Sequence, residues 1–359
     1  MNQAFSLSRP GTPWARCAFG LLILGLFAAL QAASPMNGAG SSAAHPVYRI
    51  WDEQYAKTGG APLNYDPAGS SAGLKKIAAH QVDFGASDIA PAKDALAKAN
   101  LVFFPTVVTG VVPVVNLPKE GGPLVLNGET LARIFAGRIT RWDAPEIKAL
   151  NKGRSLPDKA IQVLVRSDGS GTTYHFSTYL SQVDEGWKRS RGAAPLVPWP
   201  PGFKAVKGCQ GMADGVKATP GAIGYVDYNY VLEDHLTAVA LKNAAGNTVQ
   251  AGPESFRAAL LTSPWMQGGD FAQPLTNQPG SGSWPITMGT FVVLPRVTEH
   301  PEKTVPVLRF FTWAFMHGDD LAKKVNFVRL PNAIQAKAFK AIAQVVDKKG
   351  TPLGVDGLR

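Results

Sequence analysis

Three loops in this chain place glycine and hydroxyl residues immediately before a helical pattern. They are Gly38–Pro46, Ala68–Gly73 and Arg166–Thr173, with the sequences GAGSSAAHP, AGSSAG and RSDGSGTT. The third loop follows the alternating run IQVLV, which is typical of a strand, and helix and strand patterns alternate along much of the chain. Since 37 Gly and 28 Pro divide the chain into short elements, this alternation predicts an α/β protein with a mostly parallel or mixed sheet.

Loops of this kind carry the donors that bind an anion. A helix leaves its first backbone N–H groups without partners inside the helix, and its dipole favours negative charge there. A single loop of this kind is more often a helix cap than a binding site, since a Ser side chain satisfies those N–H groups. Arg166 favours the anion site, because its planar fork of donors suits a tetrahedral oxyanion. Asp168, two residues later, either holds that fork in place or only forms a turn with Gly169.

Asp88, in the run VDFGASD, is a carboxylate that suits an anion only if the anion carries a proton. A carboxylate accepts a hydrogen bond from the OH of hydrogen phosphate and repels fully ionised sulfate. The alternative is that Asp88 only caps the turn that follows it. If Asp88 lines the site, the sequence predicts a preference for phosphate over sulfate.

The N-terminus has the pattern of a secretory signal peptide. Arg9 and Arg16 precede an apolar run over residues 17–30, and the small residues of QAASP follow. The run is short for a bilayer span. We therefore expect residues 1–34 to be a signal peptide, cleavage near Ala32–Ser34, and a mature protein that is periplasmic or secreted. An uncleaved membrane anchor is the alternative.

The cysteines and histidines predict neither a disulfide nor a metal site. Cleavage removes Cys17 and leaves Cys209, so no intramolecular disulfide is expected. Cys209, in KGCQG, has no Cys or His partner at metal spacing and is interpreted as a structural residue. None of the six His pairs at metal spacing either. We expect no metal and no cofactor.

The positive charge of the chain is spread along it. The formal charge of +10 falls to +8 without Arg9 and Arg16. No long basic run is interleaved with aromatic residues, so we expect no nucleic-acid partner and only a mild attraction for anions.

The ordered set of motifs resembles the periplasmic phosphate-binding proteins that serve phosphate ABC transporters. RSDGSGTT followed by FSTYL carries the likeness, which extends to GAG, GSSAGLKKI, VDFGASD, FFPTVVTGVVPVVN, IFAGRITRWD, PGAIGYVDY, LTNQ–WPI and FFTWAF in the same order. The resemblance covers roughly residues 37–335, which is nearly the whole mature chain.

This resemblance implies a two-lobed α/β periplasmic-binding-protein fold, with a ligand cleft between the lobes and hinge crossovers. The crossovers are implied near FFPTVV and TNQPGSGSWPI, with Pro105 and the region of Gly280 and Gly282 as hinge material. The implied parts are lobe I over residues 37–106 and 280–345, lobe II over residues 107–279, and a C-terminal tail over residues 346–359.

The resemblance also implies the ligand and its contacts. The ligand is inorganic phosphate, delivered to ABC transporter permease subunits at the inner membrane, without enzymatic activity. Because a hinge protein must move freely, we expect a monomer. The implied phosphate contacts are Ser42, Ala43, Ser70, Asp88, Arg166, Ser170, Gly171 and Thr172. Asp168 is implied as the salt-bridge partner of Arg166.

One loop departs from the family's pattern. The family has Thr-Phe-Pro after the first GAG, whereas this chain has Ser42, Ala43 and Ala44 there. Ser42 keeps the hydroxyl of the threonine, but Ala43 keeps only a backbone N–H. The missing ring predicts a wetter pocket, with altered affinity or selectivity.

Two other functions remain open at this point. The altered loop suits a secreted adhesion or signalling protein that kept the fold without the transport role. A secreted phosphatase would use Ser170 as nucleophile and His175 as base. Against it, DGSGT is not the strained nucleophile elbow of α/β hydrolases, and His175 lies on a different part of the helix.

Overall fold

The computed structural model describes residues 34–118 and 122–354. Apart from Ser34, the predicted signal peptide over residues 1–34 lies outside the described residues, as do residues 355–359 of the predicted C-terminal tail. Within the described ranges, no helix combines the length and the apolar character needed to cross a membrane.

The described residues form strands and helices in the alternation that the sequence predicts. The strands are β1 (Met36–Gly40), β2 (Leu63–Asp66), β3 (Phe84–Ser87), β4 (Leu101–Val115), β5 (Val125–Leu126), β6 (Gln162–Arg166), β7 (Lys204–Val206), β8 (Ala222–Asp227), β9 (Thr237–Ala238), β10 (Ala240–Lys242), β11 (Thr248–Val249), β12 (Thr287–Pro295), β13 (Val297–Thr298) and β14 (Val346–Asp347). The helices are α1 (His45–Ala56), α2 (Ser70–Ala78), α3 (Lys93–Lys98), α4 (Gly128–Phe135), α5 (Pro145–Leu150), α6 (Gly171–Val183), α7 (Glu185–Ser190), α8 (Gly208–Ala218), α9 (Tyr228–Glu233), α10 (Pro253–Leu261), α11 (Pro264–Gln267), α12 (Pro301–His317), α13 (Asp319–Lys324) and α14 (Asn332–Ile342).

A mixed sheet organises the fold, with the strand order β2-β1-β3-β12-β4-β8-β6-β7 and with β9 beside β4. β1 pairs in parallel with β2 and β3, and we call these three strands the first half-sheet. β6 pairs in parallel with β7 and β8, and we call these three strands the second half-sheet. β12 and β4 lie between the two half-sheets and pair antiparallel with each other. β12 also pairs antiparallel with β3, and β4 pairs antiparallel with β8. The predicted mixed α/β sheet is confirmed.

The register along β4 makes the two half-sheets end close to each other. Phe291 of β12 lies opposite both Ser87 at the end of β3 and Pro105 of β4. Asp227 at the end of β8 lies opposite Val111 of β4. Because β3 and β4 run in one direction and β8 in the other, the carboxyl ends of the two half-sheets point toward the same short part of β4. Loops at these ends of parallel strands commonly form the ligand site of an α/β fold.

A β-bulge lies on this short part of β4. Thr290 pairs with Val107 and the next residue of β12 pairs with Pro105, which leaves Thr106 unpaired in the ladder. Pro105 has no N–H, so it could not donate a hydrogen bond to the neighbouring strand even in a regular ladder. A bulge next to Pro105 therefore loses no hydrogen bond from that residue. Thr106 instead donates from its Oγ1 to the carbonyl oxygen of Thr290, at 3.1 Å. The bulge thereby fixes the backbone at Thr290. The lobe boundaries and hinges that the sequence implies remain predictions.

Aromatic clusters support both half-sheets. Beside the first, the ring of Phe311 packs edge-on against Tyr48 and Phe84, at centroid distances of 5.5 and 5.1 Å. Beside the second, Phe176 stacks on Tyr225 at 4.3 Å. After the third loop, the spacing of Phe176, Tyr179 and Leu180 predicts one apolar helix face. This prediction is confirmed, because all three residues lie in α6 and are buried.

The sequence predicts three further features that the structure corrects in part. The Pro- and Gly-rich stretch over residues 195–211 predicts a surface segment, but it contains β7 and the start of α8, and it buries Cys209 completely. The run ATPGAIGYVDYNYV over residues 218–231 predicts a strand, but the strand ends at Asp227, because the Asp227 carboxylate accepts from the N–H of Asn229 and caps α9. The glycines and proline after Lys348 predict a peripheral tail, but Leu353 is buried and its N–H donates to the carbonyl oxygen of Val345.

Candidate functional site

Arg166 ends β6 and lies almost fully buried, with 1% of its surface exposed. Its Nε and Nη2 donate to the two carboxylate oxygens of Asp168, at 2.7 and 2.5 Å. The N–H of Gly208, the first residue of α8, donates to the same carboxylate at 3.0 Å. An unpaired buried guanidinium would be costly, and this bidentate pair offsets much of that cost. The expected pairing of Arg166 with Asp168 is present.

The Asp168 carboxyl is held in its ionised form. Burial by itself raises its pKa, but the hydrogen bonds and positive charge of Arg166 outweigh that effect and leave the pKa below its ordinary value. The pair therefore carries no net charge at neutral pH. The N–H groups of Arg166 that do not bond Asp168 point elsewhere.

Those donors reach residues from distant parts of the chain. Nη2 of Arg166 donates to Ser42 Oγ at 3.3 Å, and Nη1 lies 3.4 Å from Sγ of Cys209. Ser42 belongs to the loop between β1 and α1, and its carbonyl oxygen accepts from the hydroxyl of Tyr230 at 3.0 Å. The loop after β1 therefore meets the end of β6, which brings the first and third glycine–hydroxyl loops together.

Asp88 follows β3 and is also buried, with 1% of its surface exposed. Three hydroxyl groups donate to its carboxylate: Ser41 and Ser70 to Oδ2, at 2.8 and 3.2 Å, and Thr290 to Oδ1, at 2.7 Å. Burial raises the pKa of Asp88, while these hydrogen bonds oppose the rise without cancelling it. A carboxylate has about four lone-pair sites, so three donors leave capacity for a hydrogen bond from a ligand OH.

Ser70 begins α2, and its hydroxyl both donates to the Asp88 carboxylate and accepts from the Asp88 N–H, at 3.1 Å. The next residue of α2, Ser71, donates its N–H to the carbonyl oxygen of Gly169 at 3.0 Å. Gly69 precedes the helix with φ of 100°, and a Cβ there would lie 2.7 Å from Oδ2 of Asp168. Glycine is therefore required at position 69 both by its backbone conformation and by this contact.

The N-terminus of α6 reaches the same place. Ser170 caps the helix, since its Oγ accepts from the N–H of Thr173 at 3.1 Å. That bond uses the oxygen as an acceptor and does not consume the hydroxyl proton. A Cβ on Gly171 would lie 2.6 Å from Ser70 Oγ. Ser170, Gly171 and Thr172 are all buried, and they lie beside the start of α2.

The altered loop after β1 is held from within. The N–H groups of Ala43 and Ala44 both donate to Ser41 Oγ, at 3.2 Å, and that hydroxyl donates in turn to Asp88. Both alanines are fully buried. The amide of Ala43 therefore lies next to Ser41, which contacts Asp88, although the side chain at position 43 is a methyl group and not an aromatic ring.

Sequence reasoning missed four residues of this cluster. Ser41 and Thr290 hydrogen-bond Asp88, Cys209 contacts Arg166, and Nε2 of His175 shares a hydrogen bond of 2.6 Å with the Asp88 carbonyl oxygen. Ser41 could have been found from its place beside Ser42. Thr290 and Cys209 come from elements far away in the sequence, and no local pattern connects them with the loops.

The geometry does not support a hydrolase site. Nε2 of His175 faces Asp88, and its Nδ1 has no hydrogen-bond partner among the described residues, so neither ring nitrogen bonds Ser170. Burial lowers the pKa of His175. Over residues 34–118 and 122–354, no group of three or more His, Cys, Asp or Glu side chains is placed to hold a metal ion.

Comparison with known proteins identifies relatives over nearly the whole chain. The profile of the PBP superfamily domain matches residues 28–316. The phosphate-binding protein PstS of Pasteurella multocida is 42% identical over 317 residues, which are 88% of this chain and 92% of that protein. PstS of Haemophilus influenzae is 42% identical over 87% of this chain and 93% of its own. PstS of Methanocaldococcus jannaschii is 31% identical over 85% of each.

Solved structures share the fold at lower sequence identity. A high affinity periplasmic phosphate-binding protein bound with phosphate matches with a TM-score of 0.67 and 20% identity, over 85% of this chain and 93% of that one. A phosphate-binding protein from Stenotrophomonas maltophilia matches with a TM-score of 0.65 and 21% identity, over 85% and 93%. The predicted two-lobed periplasmic-binding-protein fold is thereby confirmed.

Proposed function

Because this chain belongs to the PBP superfamily, together with the phosphate-binding proteins PstS, we propose that it binds inorganic phosphate outside the cytoplasm and delivers it to an ABC permease. The site is the cluster where the carboxyl ends of the two half-sheets meet. The observation that carries the proposal is that Arg166, which is buried and held in place, and Asp88, which is a buried hydrogen-bond acceptor, belong to the same cluster.

Arg166 supplies buried, charge-assisted N–H donors for an anion. Its guanidinium is buried and held by Asp168, so it is already oriented before the ligand arrives and loses little freedom on binding. Because Asp168 balances the charge, the site binds the anion with a neutral pair, hydroxyl groups and backbone N–H groups. Such donors are strong when they are buried and aimed in advance.

Asp88 supplies the selectivity. At neutral pH, phosphate carries at least one OH, which can donate to the carboxylate, whereas sulfate carries none. Sulfate at this site would leave the Asp88 carboxylate facing ionised oxygen atoms without a proton between them, which costs binding energy. The hydroxyls of Ser41, Ser70 and Thr290 orient the carboxylate so that it presents its remaining acceptor position.

The contacts that the resemblance implies fit this arrangement and are part of the proposal. They are Ser42, Ala43, Ser70, Asp88, Arg166, Ser170, Gly171 and Thr172. Ser70, Ser170, Gly171 and Thr172 lie at the starts of α2 and α6, and the N-terminal ends of helices favour anions. The other contacts precede α1, follow β3 or end β6. The N–H groups of Ala43 and Ala44 donate to Ser41 Oγ, and these bonds order the loop despite the missing ring.

The remaining parts of the proposal concern the setting of the protein. The signal-peptide pattern and the relatives support a periplasmic or secreted mature protein that meets the permease at the inner membrane. Because a hinge protein must move freely, we propose that it works as a monomer. The role is binding and delivery, without catalysis. The arrangement of Ser170 as a helix cap, with His175 bonded elsewhere, supports this role over a phosphatase.

A thermal-shift screen of anions tests the proposal. A ligand that binds only the folded state at 100 times its Kd stabilises that state by about 2.7 kcal/mol, which for a chain of this size corresponds to a rise of several degrees in Tm. We expect such a rise with phosphate and little change with sulfate at matched ionic strength. A shift with another class of ligand and none with phosphate would reject the function.

A further inference from the structure

The thiol of Cys209 lies among three residues that are proposed to contact phosphate. Cys209 follows the first residue of α8 and is fully buried. Its Sγ accepts a hydrogen bond from Ser42 Oγ at 3.3 Å and from Nη1 of Arg166 at 3.4 Å. It also lies 3.8 Å from Oγ1 of Thr172. These residues belong to the loop after β1, the end of β6 and the start of α6, so the sulfur lies where the three elements converge.

Cys209 completes a ring of hydrogen bonds. Nη2 of Arg166 donates to Ser42 Oγ, the Ser42 hydroxyl donates to the sulfur, and Nη1 of the same guanidinium donates to the sulfur as well. Asp168 holds the opposite side of the guanidinium through Nε and Nη2. The two sets of contacts together restrict rotation of the Arg166 fork.

The sulfur is a neutral partner in this ring. Burial raises the pKa of the Cys209 thiol, and the positive charge of Arg166 opposes the rise without cancelling it. As a thiol, Cys209 accepts from Arg166 and Ser42 and has its own weak S–H donor beside Thr172. Asp168 already balances the charge of Arg166. A negative group at position 209 would leave Arg166, Asp168 and position 209 with a net negative charge, which would add to that of the Asp88 carboxylate beside the anion.

We infer that Cys209 is a positioning and selectivity residue of the phosphate site: its neutral thiol holds Arg166 and Ser42 in place and keeps negative charge away from the bound anion. The inference rests on the proposed function, because it requires the anion to lie beside Arg166. It predicts that phosphate binding is weakened both by a negative charge at position 209 and by a neutral group there that displaces Arg166 or Ser42.

A matched pair of variants separates charge from size. Cys209→Asn and Cys209→Asp have nearly the same shape and differ in charge, so calorimetric titration of both with phosphate isolates the charge. At pH 8, we expect Cys209→Asp to bind phosphate at least about 100-fold more weakly than Cys209→Asn, because a like charge beside a buried anion costs several kcal/mol. The ratio of the two affinities should shrink toward pH 5, as the introduced carboxyl takes up a proton. A purely structural role of position 209 would weaken both variants alike at every pH.

The wild-type thiol supplies a second measurement in case a variant does not fold. Wild-type protein is modified with methyl methanethiosulfonate in urea, refolded and checked by circular dichroism. The added S-methyl group occupies the space between Ser42, Arg166 and Thr172. We expect the folded, modified protein to bind phosphate at least about tenfold more weakly, which corresponds to 1.4 kcal/mol, and reduction of the mixed disulfide to restore binding.

The outcomes distinguish this inference from the proposed function. If wild-type protein binds no phosphate, both are rejected. If wild-type protein binds phosphate while Cys209→Asn and Cys209→Asp bind it equally well across pH 5 to 8, the inference alone is rejected. Unchanged affinity of the folded protein that carries the methyl disulfide at Cys209 would reject it as well.

Discussion

A Cβ atom on Gly171 would lie 2.4 Å from Cβ of Asp88 and 2.5 Å from its Oδ2. Gly171 begins α6, beside the second half-sheet, and Asp88 follows β3 of the first. The backbone at the start of α6 therefore touches the acidic side chain across the site. This contact is closer than Cβ atoms make in proteins, so any larger residue at position 171 would push α6 away from Asp88.

Gly171→Ala should weaken phosphate binding at least about tenfold, because the added methyl group separates the donors of α6 from the acceptor Asp88. A tenfold loss of affinity corresponds to a loss of about 1.4 kcal/mol of binding free energy. Gly211→Ala is the matched control: Gly211 lies in α8, and its Cβ would meet only Val206, at 3.9 Å. Calorimetry of the two folded variants compares them. Equal affinities would show that the approach of α6 to Asp88 does not matter for binding.

Asp88→Asn should narrow the difference in affinity between phosphate and sulfate. The amide has nearly the shape of the carboxylate but no charge, so it no longer repels sulfate, and its NH₂ group can donate to a sulfate oxygen. Titration of the variant with both anions measures the ratio. Asp66→Asn, at a carboxylate that is about half exposed and pairs with Lys76, is the control. An unchanged ratio in Asp88→Asn would contradict the role of Asp88.

Asp168→Ala should lower both stability and affinity. It leaves the guanidinium of Arg166 buried without its bidentate partner, and breaking a buried pair in this way costs about 3–5 kcal/mol. Asp320→Ala removes a carboxylate that is 85% exposed and should change the free energy of unfolding far less, because solvent screens its ion pair. Urea denaturation measures both values. A loss at Asp168 as small as that at Asp320 would show that the pair does not hold Arg166.

Asp227 predicts a pH dependence of stability. It is fully buried, it accepts from Thr109 Oγ1 at 2.6 Å, and burial raises its pKa to about 7 from an ordinary value of 3.8. Between these values the folded state binds the proton more tightly than the unfolded state. The stability that Asp227 contributes is therefore fully present below the unfolded pKa and is lost as the pH rises through 7.

Asp227→Asn, which resembles the protonated acid, removes this titration. We expect the stability of the variant relative to wild-type protein to increase from pH 5 to pH 8, as measured by urea denaturation at each pH. The comparison cancels the contributions of those acids that both proteins share and that do not interact with Asp227. A difference in stability that stays constant from pH 5 to pH 8 would contradict the raised pKa.

The alternation of elements could be predicted because each strand and helix leaves a local pattern. The apolar face of α6 and the runs in β4 and β12 were visible in the sequence, and the burial of Phe176 and Tyr179 follows from their spacing. The start of α8 could not be predicted. Gly208 has a φ of 71° and follows a stretch rich in Pro and Gly, so its local signal is that of a turn.

The candidate site could be predicted only in part, for a physical reason. Arg166 and Asp168 are two residues apart, so their pairing is a local property. The contacts of Asp88 with Thr290 and of Ser42 with Cys209 join residues 202 and 167 positions apart. Such contacts depend on the register of β12 along β4 and on the packing of α8, which no local pattern encodes.

Isothermal titration calorimetry of the mature wild-type protein with phosphate and with sulfate at pH 7 tests the central claim most directly. We expect one phosphate to bind per chain and sulfate to bind at least about 100-fold more weakly. Sulfate loses the hydrogen bond to the buried Asp88 carboxylate and is repelled by it, and together these effects are worth about 3 kcal/mol or more of binding free energy. Equal affinity for the two anions, or no binding of phosphate, would contradict it.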